Sequence, residues 1–196
     1  MKINKNYFFV FVSASLMGLS QHQLSLGFLA WFGLIPFLYV LLKQQSYKSV
    51  FLISFLWGLI YNIIILYWLS MNIGTIKVIA IITMFFAVLI MSFNSVFTCL
   101  LWYRIKKYFP KYKLILFPVI WVSIDYIRSY GILGFPWTSI ANSQIDYLYL
   151  IQNAEIVGIY GISFWVVMIN VLLYSILLNN VNRMHIIYTL SAFIFP

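Results

Sequence analysis

The sequence predicts an all-α, polytopic transmembrane helical bundle of about six spans plus the start of a seventh. Three observations predict it. Hydrophobic residues make up 64% of the 196 and charged residues only 8%, against about 25% charged in a soluble domain, so the chain could not cover itself for water. Apolar windows close to the roughly 20 residues that a spanning helix needs recur along its whole length. The few charges fall between those windows and segregate by sign.

In chain order, the first window is 7–20. Lysines at 2 and 5 before a short apolar run also match the layout of a secretory signal. Met17-Gly-Leu-Ser-Gln lacks the small-residue cleavage pattern, so this window is read as a retained helix. The second, 24–42, contains Pro36, and a proline kink is tolerable in a membrane helix. Windows 50–69, 78–103 and 156–178 meet the length requirement plainly, and 114–130 is a little short. The final run, 185–196, would reach only about 18 Å at 1.5 Å per residue, so the chain is expected to stop partway through a span. Residues 1–196 then read as one membrane-embedded domain, with no soluble domain.

With the N-terminus in the cytoplasm, the inner segments hold Lys2, Lys5, Lys43, Lys48, Arg104, Lys106, Lys107, Lys111, Lys113 and Arg183, ten of the twelve basic residues. The outer side receives Lys77, Arg128 and all three acids, Asp125, Asp146 and Glu155. This satisfies the positive-inside rule. The net charge of +9 is therefore a topology signal with some attraction to anionic lipid, and nucleic acid is not an expected partner.

One stretch departs from the greasy background: "DYIRSYGILGFPWTSIANSQ", residues 125–144. Asp125 and Arg128 are three apart, so they share a helix face and can pair; charges in a membrane helix pair or face a polar cavity. Gly131, Gly134 and Pro136 stop the helix. Trp137 suits headgroup depth, and Asn142, Ser143, Gln144 and Asp146 form a polar ledge expected to face outward. The plain reading is a helix end with an aromatic belt. The functional reading is a lipid-headgroup site built from Asp125, Arg128, Gly134, Phe135, Pro136, Trp137 and Gln144, with Arg128 attracting a phosphate.

The remaining candidates read structurally. Cys99 is a lone thiol near the inner end of its window, a small apolar residue. Glu155 belongs in the first turn of the following helix, where the helix dipole favours an acid. Gly158 and Gly161 permit close helix packing. His22 and His185 lie near opposite faces and cannot share a metal, and Lys77 snorkels to the outer interface.

"DYIRSYGILGFPW…SQID", followed by "VGIYGISFWVVMINVLL" from Val157, resembles the pattern of bacterial apolipoprotein N-acyltransferases. "FLAWFGLIPFLYVLL" (28–42) and "FLWGLIYNIIILYW" (55–68) resemble that family's second and third spans. Asp125 stands where the family more often has Glu. The resemblance implies a bacterial cytoplasmic (inner) membrane protein. Its relatives move a fatty acyl chain from membrane phospholipid to the N-terminal S-diacylglyceryl-cysteine of lipoproteins, without a cofactor. The chemistry is a covalent relay through a cysteine, held in a Glu–Lys–Cys triad of a nitrilase-like domain after the seventh span. No residue here matches that triad, because Cys99 and the three acids lie on opposite sides. The expectation is a membrane portion, a truncated or split form that is silent alone and needs a separately encoded nitrilase-like domain. The competing reading is a non-enzymatic membrane protein, a small transporter or scaffold. It would call for ionisable groups near the bilayer midplane, whereas almost every charge here sits near a boundary.

Overall fold

A computed structural model describes residues 5–22, 24–130, 134–178 and 191. The expected inner charges Lys2 and Arg183, together with Gly131, His185 and the final run 185–196 apart from Ser191, lie outside the described residues. The described residues form an all-α membrane protein: α1 (Lys5–Leu19), α2 (Ile35–Leu42), α3 (Tyr47–Leu66), α4 (Lys77–Tyr108), α5 (Leu116–Arg128), a single turn α6 (Leu148–Ile151) and α7 (Ala154–Leu178). Five short 3₁₀ turns join or extend them.

Three helical runs among the described residues are long and apolar enough to cross a membrane, Tyr47–Met71, Lys77–Tyr108 and Ala154–Leu177. The others are shorter. α4 has 32 residues, about 48 Å at 1.5 Å each, whereas α5 has 13, about 20 Å, against a hydrocarbon core of about 30 Å. One end of the bundle is therefore uneven.

The core is centred on Trp57 of α3, which is fully buried. Its ring lies 4.8 Å from Tyr61, 5.3 Å from Phe37 of α2 and 5.6 Å from Trp121 of α5. Its indole N–H donates to Ser13 Oγ of α1 at 3.1 Å. Four helices thus meet on one side chain. In lipid such contacts act through packing and hydrogen bonding rather than water expulsion, and the exposed Phe85, Phe86, Phe93 and Phe97 of α4 give lipid an apolar face.

The second window is not a kinked helix. It is a 3₁₀ turn, Gly27–Trp31, followed by a break and then α2. Pro36 lies in the first turn of α2, where its missing N–H costs nothing, so the break precedes the proline. Neighbours satisfy the freed backbone groups: Asn170 of α7 accepts from Leu34 N at 2.9 Å and donates to Ala30 O at 2.7 Å, and Ser13 Oγ donates to Gly33 O at 2.6 Å.

Gly158 is also placed differently from the expectation. Its φ is +68° and ψ 177°, which interrupts α7. A Cβ there would meet nothing within 4 Å, and the three atoms nearest one on Gly161 all belong to Val157 of the same helix. Gly158 therefore brings no two helices together; it is needed for a backbone angle that side chains disfavour. Glu155 is in the first turn of α7, and Cys99 is free and buried, both as expected.

Candidate functional site

The last turn of α5 carries Asp125 and Arg128, three residues apart on one face. Arg128 Nη2 lies 3.1 Å from Asp125 Oδ1, in a pair about nine-tenths buried. The helix stops here, and the arginine's other terminal nitrogen reaches across to the loop. Nη1 donates to Phe135 O at 3.1 Å and to the Thr138 hydroxyl, and touches Met91 Sδ of α4 at 3.5 Å. Asn94 Nδ2 of α4 holds Asp125 Oδ1 at 3.2 Å. The guanidinium is thus a clamp that ties α5, α4 and the "GFPW" turn together.

A second set of bonds fixes the other side of the loop. Tyr61 OH of α3 donates to Thr138 O at 2.9 Å and accepts from the Gln21 amide. Asn142 Nδ2 donates to Trp137 O at 2.7 Å. Ser163 Oγ of α7 lies 2.8 Å from Ser139 Oγ and accepts from Ala141 N at 3.2 Å. Gln144, fully buried, donates through Nε2 to Gly27 O at 3.1 Å. A Cβ on Gly27 would fall 2.0 Å from Ser143 O, so only glycine allows this close approach.

Of the residues singled out from sequence, Asp125, Arg128, Phe135 and Pro136–Trp137 converge on one clamp. Gly134 opens the described part of the loop, and Pro136 begins its 3₁₀ turn, Pro136–Thr138. Phe135 packs against the small cluster formed by Leu66, Val88 and Met91. Gln144 stands apart, under the break in the second window. The expected outward ledge is only partly outward: Asp146 is exposed, but Ser143 and Gln144 are buried, where the Gln144 amide reaches the Gly27 carbonyl. Trp137 is 59% exposed and leans on Trp68 at 5.5 Å and Phe135 at 5.4 Å.

Two cavities flank the loop. One, about 420 Å³, is bounded by Gln21, His22, Trp68, Trp137 and Asn142. The other, about 260 Å³, opens on the lipid-facing side and is lined by Ile90, Met91, Asn94, Phe97, Arg128 and Tyr130. Arg128 Nε, Asp125 Oδ2, Gln144 Oε1 and His22 Nδ1 are buried without a hydrogen-bond partner, although the Trp121 indole also interacts with the Asp125 carboxylate. Such unmet capacity is costly in a dry interior, and it clusters around this loop.

Sequence reasoning did not pick out Asn94, Tyr61, Gln21, Thr138 or Ser163. A signal existed for two of them. Asn94 is an amide inside a long apolar helix, and Tyr61 precedes Asn62 in the middle of another; polar residues at such depth are usually there for a partner. Among the described residues no three His, Cys, Asp or Glu side chains converge to hold a metal ion.

The family model for the N-terminal domain of apolipoprotein N-acyltransferase matches residues 13–172. An apolipoprotein N-acyltransferase of Geobacter metallireducens is 30% identical over 176 residues, covering 88% of this chain and 34% of that protein. One of Chlorobaculum tepidum is 28% identical over 176 residues, covering 87% of this chain and 31% of its own length. One of Vibrio cholerae is 31% identical over 119 residues, covering 58% and 24%. The chain spans about a third of the length of the first two of these relatives.

Proposed function

This chain belongs to the apolipoprotein N-acyltransferase family, and from that premise we propose that its clamped loop presents phospholipid to an acyl-transfer site. The reaction we assign to the whole enzyme moves a fatty acyl chain from phospholipid to the N-terminal S-diacylglyceryl-cysteine of a lipoprotein. The protein spans the bacterial cytoplasmic membrane several times, with its lysine-rich end in the cytoplasm and the 134–147 loop on the far side.

One observation carries the reading: the polar loop is sunk below the far end of the bundle and borders a groove open to lipid. Met91, which touches Arg128, precedes Lys106 by fifteen positions on α4, about 22 Å along the axis. α4 continues about 21 Å further to Lys77. The hydrocarbon core is about 30 Å thick, so the Arg128 level falls inside it. Irregular backbone is tolerated at such depth only when it is buried in protein or lines a polar cavity. A phospholipid entering beside α4 meets apolar side chains first and then Arg128, whose positive charge borders the groove. Arg128, Asp125, Gly134, Phe135, Pro136, Trp137 and Gln144 thus form the headgroup floor, with Arg128 both clamping and binding.

The acyl-transfer step needs a nucleophile beside a base, and this region does not juxtapose them. Cys99 is free and buried in α4, and Asp125, held by Asn94 five residues before it on that helix, is paired with Arg128 rather than with the thiol. A nitrilase-like domain with a Glu–Lys–Cys triad supplies the chemistry, whether on the same polypeptide or another, and the chain alone is silent.

A phospholipid carrying a photoactivatable headgroup tests the site. Cross-linking should map near Met91 and Tyr130, fall in Arg128→Ala and fall less in Trp137→Phe. Equal labelling of all three proteins would remove the headgroup site. N-acylation of a diacylglyceryl-cysteine peptide by the purified chain alone would overturn the assignment of the chemistry elsewhere.

A further inference from the structure

The opposite end of the bundle carries an apolar groove of its own. Phe9 of α1, Ile35, Pro36 and Tyr39 of α2 and Leu177 of α7 line a groove of about 210 Å³ with an entirely apolar wall. Phe9 and Tyr39 form its floor, edge to face at 5.5 Å. α1 runs away from the lysine-rich end and α2 returns to it. Lys5, four residues before Phe9, and Lys43, four residues after Tyr39, therefore both lie about 6 Å beyond the ring pair toward the same end. Residues four apart share a helix face, so both cations flank the groove's mouth. Lys43 Nζ already sits 3.6 Å above the Tyr39 ring centroid.

No carboxylate offsets these charges: α1 and α2 contain no acid, and Asp125, Asp146 and Glu155 belong to later elements. Nearby Lys106 donates to Leu42 O at 2.8 Å, and Lys107 lies 4.6 Å above the Tyr47 ring, which makes this end more positive still. An occupant must be apolar along the groove and anionic at its mouth.

We propose that the α1–α2–α7 groove binds an anionic phospholipid, with one acyl chain along Phe9, Tyr39 and Leu177 and the phosphodiester held between Lys5 and Lys43. This site is independent of the Arg128 loop and does not rest on the acyl-transfer reading.

Native mass spectrometry of the purified chain, titrated with phosphatidylglycerol or with phosphatidylcholine of the same acyl chains, tests it. The first phosphatidylglycerol should bind roughly tenfold or more tightly than phosphatidylcholine, given two lysines with no carboxylate opposite them at headgroup level. The double variant Lys5→Gln/Lys43→Gln should abolish that preference while leaving phosphatidylcholine binding unchanged. Leu177→Trp, at an exposed position, should weaken both lipids by obstructing the groove. Lys48→Gln/Lys111→Gln should leave the preference intact. Equal wild-type affinities, a preference that survives the Lys5/Lys43 change, or an equal loss in the Lys48/Lys111 control would each overturn the proposal. So would a Leu177→Trp protein that binds lipid normally but changes oligomeric state, because a second copy of the chain would then be the occupant.

Discussion

Replacing Asn170 with Leu should cost this protein about 2–3 kcal/mol, because that one amide satisfies two backbone groups left open by the broken second window. The side chain is fully buried on α7. Its Oδ1 accepts from Leu34 N at 2.9 Å, and its Nδ2 donates to Ala30 O at 2.7 Å and to Val166 O at 2.9 Å. Leucine is similar in volume and makes none of these bonds. Val166 O keeps its helical partner, so two groups are orphaned. Each buried orphan costs about 1–3 kcal/mol, about 2–6 kcal/mol in all. Hydrogen bonds in membranes measure less, about 0.6 kcal/mol on average and about 1.7 at most, because the unfolded chain also finds partners there. For two groups that comes to about 1.2–3.4 kcal/mol, and its overlap with the first range sets the expectation. Equilibrium unfolding in mixed micelles, followed by tryptophan fluorescence, measures it. Ser175→Ala, which removes only a back-bond to Val171 O at 2.9 Å, should stay within about 0.5 kcal/mol. Ser13→Ala loosens the same break through Gly33 O, so its loss and that of Asn170→Leu should add to less than their sum. An Asn170→Leu protein as stable as Ser175→Ala would refute the view that the break is held by this amide.

Other changes probe separate features. Gly158→Ala should cost about 1–3 kcal/mol, purely from its positive φ, since a Cβ meets nothing there; an unchanged unfolding midpoint would contradict that. Arg128→Ala should destabilise by about 3–5 kcal/mol, because it strands the buried Asp125 carboxylate, and Asp125→Asn in the same protein should recover part of the loss. Cys99, fully buried, should resist maleimide in the folded protein and react on unfolding, whereas fast labelling of the native state would show a different packing of α4.

The long spans were readable because length and apolarity are local properties. Windows 50–69, 78–103 and 156–178 each correspond to a helix that covers most of them. The Asp125–Arg128 pair was readable too, since it depends only on a spacing of three. What arises between distant segments was not. Nothing near Pro36 tells that the helix breaks before it, because the break is stabilised by Asn170, 136 residues from Leu34. Gln144 looked like an outward amide for the same reason: its partner, Gly27 O, lies 117 residues away. Arg128 was legible as a charge needing a partner. That it would spend its donors on Phe135 and Thr138 depended on a turn whose path the sequence leaves open.

The break in the second window and the 134–147 loop are mechanically one unit. The 3₁₀ turn Gly27–Trp31 is gripped at its start by Gln144, through Gly27 O, and near its end by Asn170, through Ala30 O. Its Trp31 ring also lies 4.8 Å from Trp165 of α7. The loop cannot approach Gly27 unless the turn presents that carbonyl, and the turn cannot exist in lipid unless its open backbone groups are met. Asn170 is therefore a positioning residue for a loop that it does not touch. Hydrogen exchange measured by mass spectrometry separates this coupling from general destabilisation. Asn170→Leu should raise exchange across 134–147 well before global unfolding, while Phe117→Ala, a fully buried core truncation at the lysine-rich end of α5, should leave that segment's exchange nearer the wild type's. If both variants affect the loop in proportion to their stability loss, the break and the loop are separate structures and Asn170 serves only the former.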